Sequence, residues 1–345
     1  MTPSPAEAAN QPRWRGSAGF FEIWFLVVFD PASACAWWFR YTLFAPADGG
    51  ASRATLWAAA FDAVAPTPMR ACKSMLPIDR FDPGPADGFT IRLGDAELAH
   101  GRATGRVEGR DGTIAWELAF TPAAEPAARG PRWLERLPLP TRVAHAQGEA
   151  RFTGWVEVNG TRHVVAGAPG LQKHIWGTRR VEELFWINVP TFAEEPDAAF
   201  EATAVRLHRQ LPGGLAAPTV TSIWLRAGGD EDGWWRGRGL LTSRVEPGVL
   251  GELQFRAGSA TRRIEGHAWC DPRTLAGFVY RDPSGFDLHV AQSDVASCEL
   301  SYARRAHRFA AWEPAKRITA RYAAAVEFHH PEPLPGVRYL GWDEG

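Results

Sequence analysis

The run Gly170-Leu-Gln-Lys-His-Ile-Trp-Gly177 sets three groups that exchange protons or hydrogen bonds, Gln172, Lys173 and His174, beside the tryptophan Trp176. Shortly after it, Glu183-Leu-Phe-Trp-Ile-Asn188 sets an aromatic, strand-like run between two polar side chains. Read as a glycine-framed turn followed by a strand, the pair would hold large rings against proton donors and acceptors. That suits a pocket for an apolar molecule. Side chains two apart on a strand share a face, so Trp186 and Asn188 would stand together. The same period puts Phe20, Glu22 and Trp24 on one face of the first aromatic run, and Trp38 and Arg40 on one face of the second. Glu22 then sits at a solvent edge or in a pocket; in a pocket, desolvation would raise its pKa and make it a proton donor. Glu201, in Ala-Phe-Glu-Ala, is open to the same two readings, and His174 is either a hydrogen-bonded structural residue or an acid–base group. The candidates for proton transfer are therefore His174, Glu22 and Glu201. Those for holding a ligand are Trp24, Trp38, Arg40, Gln172, Lys173, Trp176, Trp186 and Asn188.

Other chemistries find no footing. The ten histidines show no HxH or HExxH spacing, and His329-His330 would point to opposite faces of a strand, so no metal site is expected. No GxSxG elbow, glycine-rich phosphate loop or βαβ pattern occurs, which leaves hydrolase, kinase and dehydrogenase readings without support and calls for no cofactor. With 38 basic and 39 acidic residues and no basic block, nucleic acid is not an expected partner. Four cysteines (Cys35, Cys72, Cys270 and Cys298) lie far apart and read as reduced, buried thiols. The N-terminus lacks the basic and apolar regions of a signal peptide. The apolar run 20–29 contains Glu22 and falls far short of the roughly 20 residues that span a bilayer. A cytoplasmic protein without stable membrane insertion is expected, with residues 1–16 a disordered tail.

The elements that would position these residues are strands. Period-2 runs at 21–29, 37–44, 56–61, 89–93, 114–120, 150–158, 185–189, 199–207, 220–226, 237–242, 252–256, 264–270, 287–292, 298–304 and 318–328 are separated by turn residues such as Asp48-Gly49-Gly50, Asn159-Gly160 and Gly228-Gly229-Asp230. Many strands with tight turns read as an all-β antiparallel sandwich or barrel. Two hairpins are clear: 21–29 with 37–44, and 150–158 with 161–166 across Asn159-Gly160. The proline-rich stretch 123–140 reads as a long surface connection. Length allows two domains, placed at 17–165 and 166–345. Phe20-Phe-Glu-Ile-Trp24 and Glu182-Glu-Leu-Phe-Trp186 share an acidic-then-aromatic flavour, as an old duplication or a coincidence would leave.

Several of these residues also carry a resemblance. Phe21-Glu-Ile-Trp-Phe25, Asp30-Pro31, Ala36-Trp-Trp-Phe-Arg-Tyr-Thr-Leu-Phe44 and Gly167-Ala-Pro-Gly-Leu-Gln-Lys-His-Ile-Trp-Gly177 are similar to segments of the lipocalin-like bacterial family of carotenoid hydratase (hydroxyneurosporene synthase) and AttH proteins. Tyr280-Arg-Asp-Pro-Ser-Gly285 and Ser301-Tyr-Ala-Arg-Arg305 resemble its closing strands. Tocopherol cyclase and fungal cofactor-free cyclases would be more distant relatives. The resemblance implies two consecutive lipocalin-like antiparallel β-domains with a pocket near their junction. It further implies a cofactor-free hydratase, cyclase or isomerase that encloses an isoprenoid- or polyketide-like molecule and acts on a C=C or C=O through an acid. A non-catalytic carrier of a hydrophobic metabolite is the alternative, and a duplication whose pocket is filled by tryptophan is a third reading. Lys173, Ile175 and Asn188 depart from the family pattern, and point to a different substrate or to a site kept for binding alone.

Overall fold

The computed structural model describes residues 2–65, 70–110, 112–130, 139–206, 210–211, 215–216, 219–235 and 242–339. Their regular structure is almost wholly strand, as the period-2 runs predict. The first sheet holds β1 (Phe20–Asp30), β2 (Cys35–Ala45), β3 (Arg53–Asp62), β4 (Arg70–Pro77), β5 (Phe81–Asp82), β6 (Thr90–Leu93), β7 (Ala96–Ala99), β8 (Arg102–Gly109), β9 (Gly112–Phe120), β10 (Thr141–Val158) and β11 (Thr161–Gly177). Its order is β4-β3-β2-β1-β11-β10-β9-β8-β7-β6-β5. The last strand thus pairs with the first, and β4 folds back against β8 to bring the sheet close to a barrel.

The second sheet repeats this logic. It takes in β12 (Glu183–Val189), β13 (Ala199–Arg206), then β16 (Val220–Ala227), β17 (Asp230–Gly233), β18 (Arg244–Pro247), β19 (Glu252–Gly258), β20 (Arg262–Trp269), β21 (Ala276–Arg281), β22 (Asp287–Arg304) and β23 (Lys316–His330). Between β13 and β16, β14 (Gln210–Leu211) and β15 (Leu215–Ala216) form a small ladder of their own. The order is β17-β16-β13-β12-β23-β22-β20-β19-β18, with β21 also on β22. Here too the first strand pairs with the last, and the two acidic-aromatic segments noted in the sequence fall on β1 and β12, which hold matching places in the two orders. Residues 237–241 of one expected strand and 131–138 of the long connection lie outside the described residues.

Two expectations are corrected. The sheets divide between 177 and 183, not at 165/166, because β11 runs unbroken through the glycines expected to make a turn. Gly167 (φ +71) is the extra residue of a β-bulge, flanked by the pairs Phe152↔Ala168 and Thr153↔Ala166. Gly170 is small because β1 crosses closely: a Cβ there would collide with the Val27 carbonyl oxygen. Residues 2–16 are not a loose tail. Pro5–Asn10 forms helix α1, capped by a reciprocal Ser4–Glu7 box, and Ala6 and Asn10 are buried.

Alternation along β1 explains why its run is apolar apart from Glu22 and the terminal Asp30. Trp24, Leu26 and Val28 enter the first barrel with Trp37, Phe39, Tyr41 and Trp116. Phe21, Ile23, Phe25, Val27 and Phe29 point the other way and are buried against Phe278, Tyr280, Leu288 and Val290 of the second sheet. A strand covered on both faces has no polar side to show. The chain thus has three apolar layers: one inside each sheet and one between them.

Candidate functional site

The same alternation on β11 splits the signature into two sites. Gln172, His174 and Trp176 pair with Leu26, Trp24 and Glu22, and face into the first barrel. Lys173 and Ile175 pair with Phe25 and Ile23, and face the layer between the sheets.

Inside the barrel, Glu22 and His174 are wholly buried, and Nε2 of His174 lies 2.8 Å from Oε1 of Glu22. Nδ1 lies 2.8 Å from the Ala9 carbonyl, which can only accept, so Nδ1 carries a proton. One more proton then lies on the Nε2···Oε1 line, since two bare acceptors would repel there. Glu22 also receives the backbone N–H groups of Arg13 (2.6 Å) and Trp14 (2.9 Å). Trp24 stacks on the imidazole at 4.7 Å between centroids, and Trp176 leans on it at 4.6 Å. Asn10 and Gln172 exchange two amide hydrogen bonds of 2.9 Å, and the Trp24 indole donates to the Asn10 carbonyl. Glu22, Trp24, Gln172, His174 and Trp176 therefore form one closed network with the N-terminal segment. Every polar atom of the His174–Glu22 pair is engaged by protein, which makes it an internal fastening and not an acid open to a ligand.

The remaining candidates, Trp38, Arg40, Lys173, Trp186, Asn188 and Glu201, meet in the layer between the sheets. Glu201 stands opposite Asn188 on paired strands. Its Oε1 accepts from Lys173 Nζ (2.5 Å) and Trp186 Nε1 (3.1 Å), with His145 Nε2 at 3.2 Å. Burial pushes the Glu201 carboxyl up, but Lys173, His145 and Arg129 outweigh it and hold it well below the usual range. Burial pulls Lys173 downward, against the attraction of Glu201. The 2.5 Å contact and the two further donors favour the charged pair. Glu201 is thus a carboxylate at neutral pH and not the proton donor expected. Among the described residues, two buried acceptors, Asn188 Oδ1 and Glu201 Oε2, have no hydrogen-bond partner, although Arg129 Nε stands 3.7 Å from Glu201 Oε2.

Aromatic rings and cations fill the rest of the layer. The Arg40 guanidinium lies 4.0 Å from the Tyr280 ring centre, 5.6 Å from that of Trp57 and 5.8 Å from that of Trp38. Arg180 lies 4.4 Å from Phe21 and 5.3 Å from the same Tyr280. Lys173 sits 4.3 Å over Trp186. Glu327, opposite Trp186 on β23, is 2.6 Å from His329 Nε2. Burial raises its carboxyl, but His329, Arg40 and Lys173 bring it below the ordinary value. Gln292 is paired opposite Glu327, and its amide donates at 3.0 Å to both oxygens of Asp294, which is fully buried. Burial pushes the Asp294 carboxyl up to about 7; the Gln292 amide opposes the rise and the Glu327 charge adds to it. Asp294 is the one carboxyl of this layer whose surroundings favour its neutral form.

Sequence reasoning missed Arg129, His145, Arg180, Tyr280, Gln292, Asp294 and Glu327 as site residues. Gln292 and Asp294 show a weak signal, two polar groups two apart, and so on one face, in the strand-like stretch Leu288 to Val295. His145 and Arg129 show none, because a bulged strand and an irregular connection bring them in.

Residues 113–308, more than half of the chain, match the tocopherol cyclase-like family. An uncharacterized protein of Mycobacterium tuberculosis is 31% identical over 313 residues, 86% of each chain. The chain belongs to the tocopherol cyclase-like family. Among solved structures, this tocopherol cyclase-like chain is similar to kievitone hydratase from Nectria haematococca, with a TM-score of 0.52, 8% identity and 96% of each chain covered. It is also similar to CghA with Sch210972, with a TM-score of 0.52, 10% identity, and 90% of this chain and 88% of the other covered. Those likenesses are of fold, and they bear out the all-β lipocalin-like architecture. Among the described residues of this tocopherol cyclase-like chain, no helix is long and apolar enough to cross a membrane.

Proposed function

We propose that the protein is a cyclase- or hydratase-type enzyme that protonates a C=C or C=O of an apolar, isoprenoid- or polyketide-like molecule held between the two sheets. Its relatives by fold include a hydratase, and its family is named for a cyclase. The observation that carries the reading is Asp294: a fully buried carboxyl, bonded only to an amide, in a layer lined by indole and phenol rings. A neutral carboxylic acid is the donor such a reaction needs. The rings of Trp38, Trp57 and Tyr280, already faced by Arg40, suit the positive charge that protonation of a C=C leaves behind. In a hydration, water adds to that cation and loses a proton; in a cyclisation, a second double bond or hydroxyl of the same molecule takes the water's place. Asn188 Oδ1 and Glu201 Oε2, neither hydrogen-bonded among the described residues, offer acceptors for a hydroxyl or water at one end of the layer.

The test is deuterium uptake. Linear polyenes and prenylated phenols incubated with the protein in D2O should gain one carbon-bound deuterium, seen by mass spectrometry. Asp294→Asn should abolish the uptake while leaving binding in place. Binding by the wild type with no uptake from any probe would make the protein a carrier.

A further inference from the structure

The layer between the sheets holds two guanidinium groups, Arg40 buried and Arg180 half-buried, that no carboxylate among the described residues pairs with directly. Arg40 is 3% exposed, and its hydrogen bonds go to neutral groups: Nε donates to Thr42 Oγ1 at 3.0 Å, and the Tyr280 hydroxyl is its other side-chain partner. Arg180 donates through Nε to the Arg281 carbonyl at 3.0 Å. Among the described residues, no carboxylate oxygen lies within 4.0 Å of a nitrogen of either guanidinium. The nearby acids are engaged elsewhere. Glu327 is bound to His329, and Asp282 accepts from the Arg180 and Ser284 backbones and the Ser284 hydroxyl. The ring the two arginines share does not supply the missing charge, because burial pushes the Tyr280 phenol upward and keeps it neutral. Burial and the charge of Arg40 together push Arg180 down to about 9, so Arg180 is still a cation at neutral pH. Asp282 and Glu327 attract these charges only from beyond contact distance, and charge compensated this loosely is costly to bury and is concentrated at binding sites.

One surface cavity lies beside the edge of this layer. It has a volume of about 190 Å³ and is lined by Phe44, Arg53, Asp282 and Ser284 among others. Phe44 pairs with Phe21, over which Arg180 lies, and belongs to the inter-sheet core.

We infer that the ligand of this layer is an apolar molecule with an anionic head group, a carboxylate or enolate, bound by Arg40 and Arg180 on either side of the Tyr280 ring. The inference rests on the proposed inter-sheet site and adds the charge class of its occupant. A guanidinium fork matches a two-oxygen anion in shape as well as sign. The apolar body would then lie along Trp38, Trp57 and Phe278, toward Trp186 and Asp294.

Retinoate and retinol test this, since they share one apolar body and differ in the head group. Both absorb where tryptophan emits, so each titration is read by quenching of the intrinsic fluorescence. The wild type should bind retinoate about tenfold or more tighter than retinol, the ratio that one well-made ionic contact supplies. Arg40→Met should bring retinoate to the retinol level and leave retinol unchanged, while Arg40→Lys keeps part of the preference. Arg180→Met reports on the same head group if the Arg40 variant does not fold. Equal affinities in the wild type, or an Arg40→Met loss shared equally by both ligands, would overturn the anionic head group and leave the inter-sheet site standing. Quenching by neither ligand would remove that site, and the inference with it.

Discussion

Glu22, Glu201 and Asp294 are three buried carboxyls with three different fates, set by what each oxygen meets. Glu22 accepts two backbone N–H groups and faces His174; Glu201 is ringed by Lys173, His145 and Arg129; Asp294 has one neutral amide. For Asp294 the folded value of about 7 lies well above that of an ordinary aspartate. Its contribution to stability is present below the unfolded pKa and is lost as pH rises through the folded one. Relative to Asp294→Asn, the wild type should therefore lose on the order of a few kcal/mol between pH 4 and 7. Urea melts at intervals across that range check this, and a constant difference would mean that Asp294 does not titrate there. Glu201 has the opposite sign: its contribution is present at neutral pH and is lost in acid. His174→Ala removes the partner of a wholly buried carboxyl, and should cost about 3–5 kcal/mol by the same melts. A loss below about 1 kcal/mol would mean that the pair does not fasten the barrel.

At the scale of the elements, period 2 was legible wherever a strand has one apolar and one polar side, and also where both sides are covered. It correctly set Trp38 with Arg40 and Trp186 with Asn188. It also put Glu22 with Trp24, yet left open whether that face was wet. What it could not show is which layer each face meets, because that depends on the partner strand. Lys173 and His174 are neighbours in sequence but occupy sites on opposite sides of one sheet. The glycines misled for a related reason: Gly167 and Gly170 look alike as letters, but one makes a bulge and the other makes room for β1. The N-terminal segment is polar and proline-containing, so its composition reads as a tail, whereas its backbone supplies the partners of Glu22, His174 and Trp24. Deleting residues 2–14 strips those groups of their bonds. Calorimetry should then show a fall in Tm of at least about 5 °C, since unsatisfied buried polar groups cost about 1–3 kcal/mol each. An unchanged Tm would make the segment an ornament to the barrel.

At the scale of the molecule, two sheets built on one strand order enclose their own cores and share a third layer. The first barrel is filled by Trp24, Trp37, Phe39, Tyr41 and Trp116, so its interior is packing. The shared layer differs in kind: it mixes rings with cations, two acceptors without a hydrogen bond among the described residues, and a carboxyl that burial pushes up to about 7. An all-β fold and a site near the join of its halves were within reach of the sequence, since strand periodicity and turn residues are local. The composition of the shared layer was not, since it is assembled from β1, β2, β3, β11, β12, β13, β21, β22 and β23 at once. The central claim is that this layer, and not either barrel, receives the ligand. A crystal structure with a bound polyene such as retinol tests it most directly. Ligand density should lie between the sheets, against Trp38, Tyr280 and Trp186. Density inside the first barrel, beside Trp24 and His174, would contradict it.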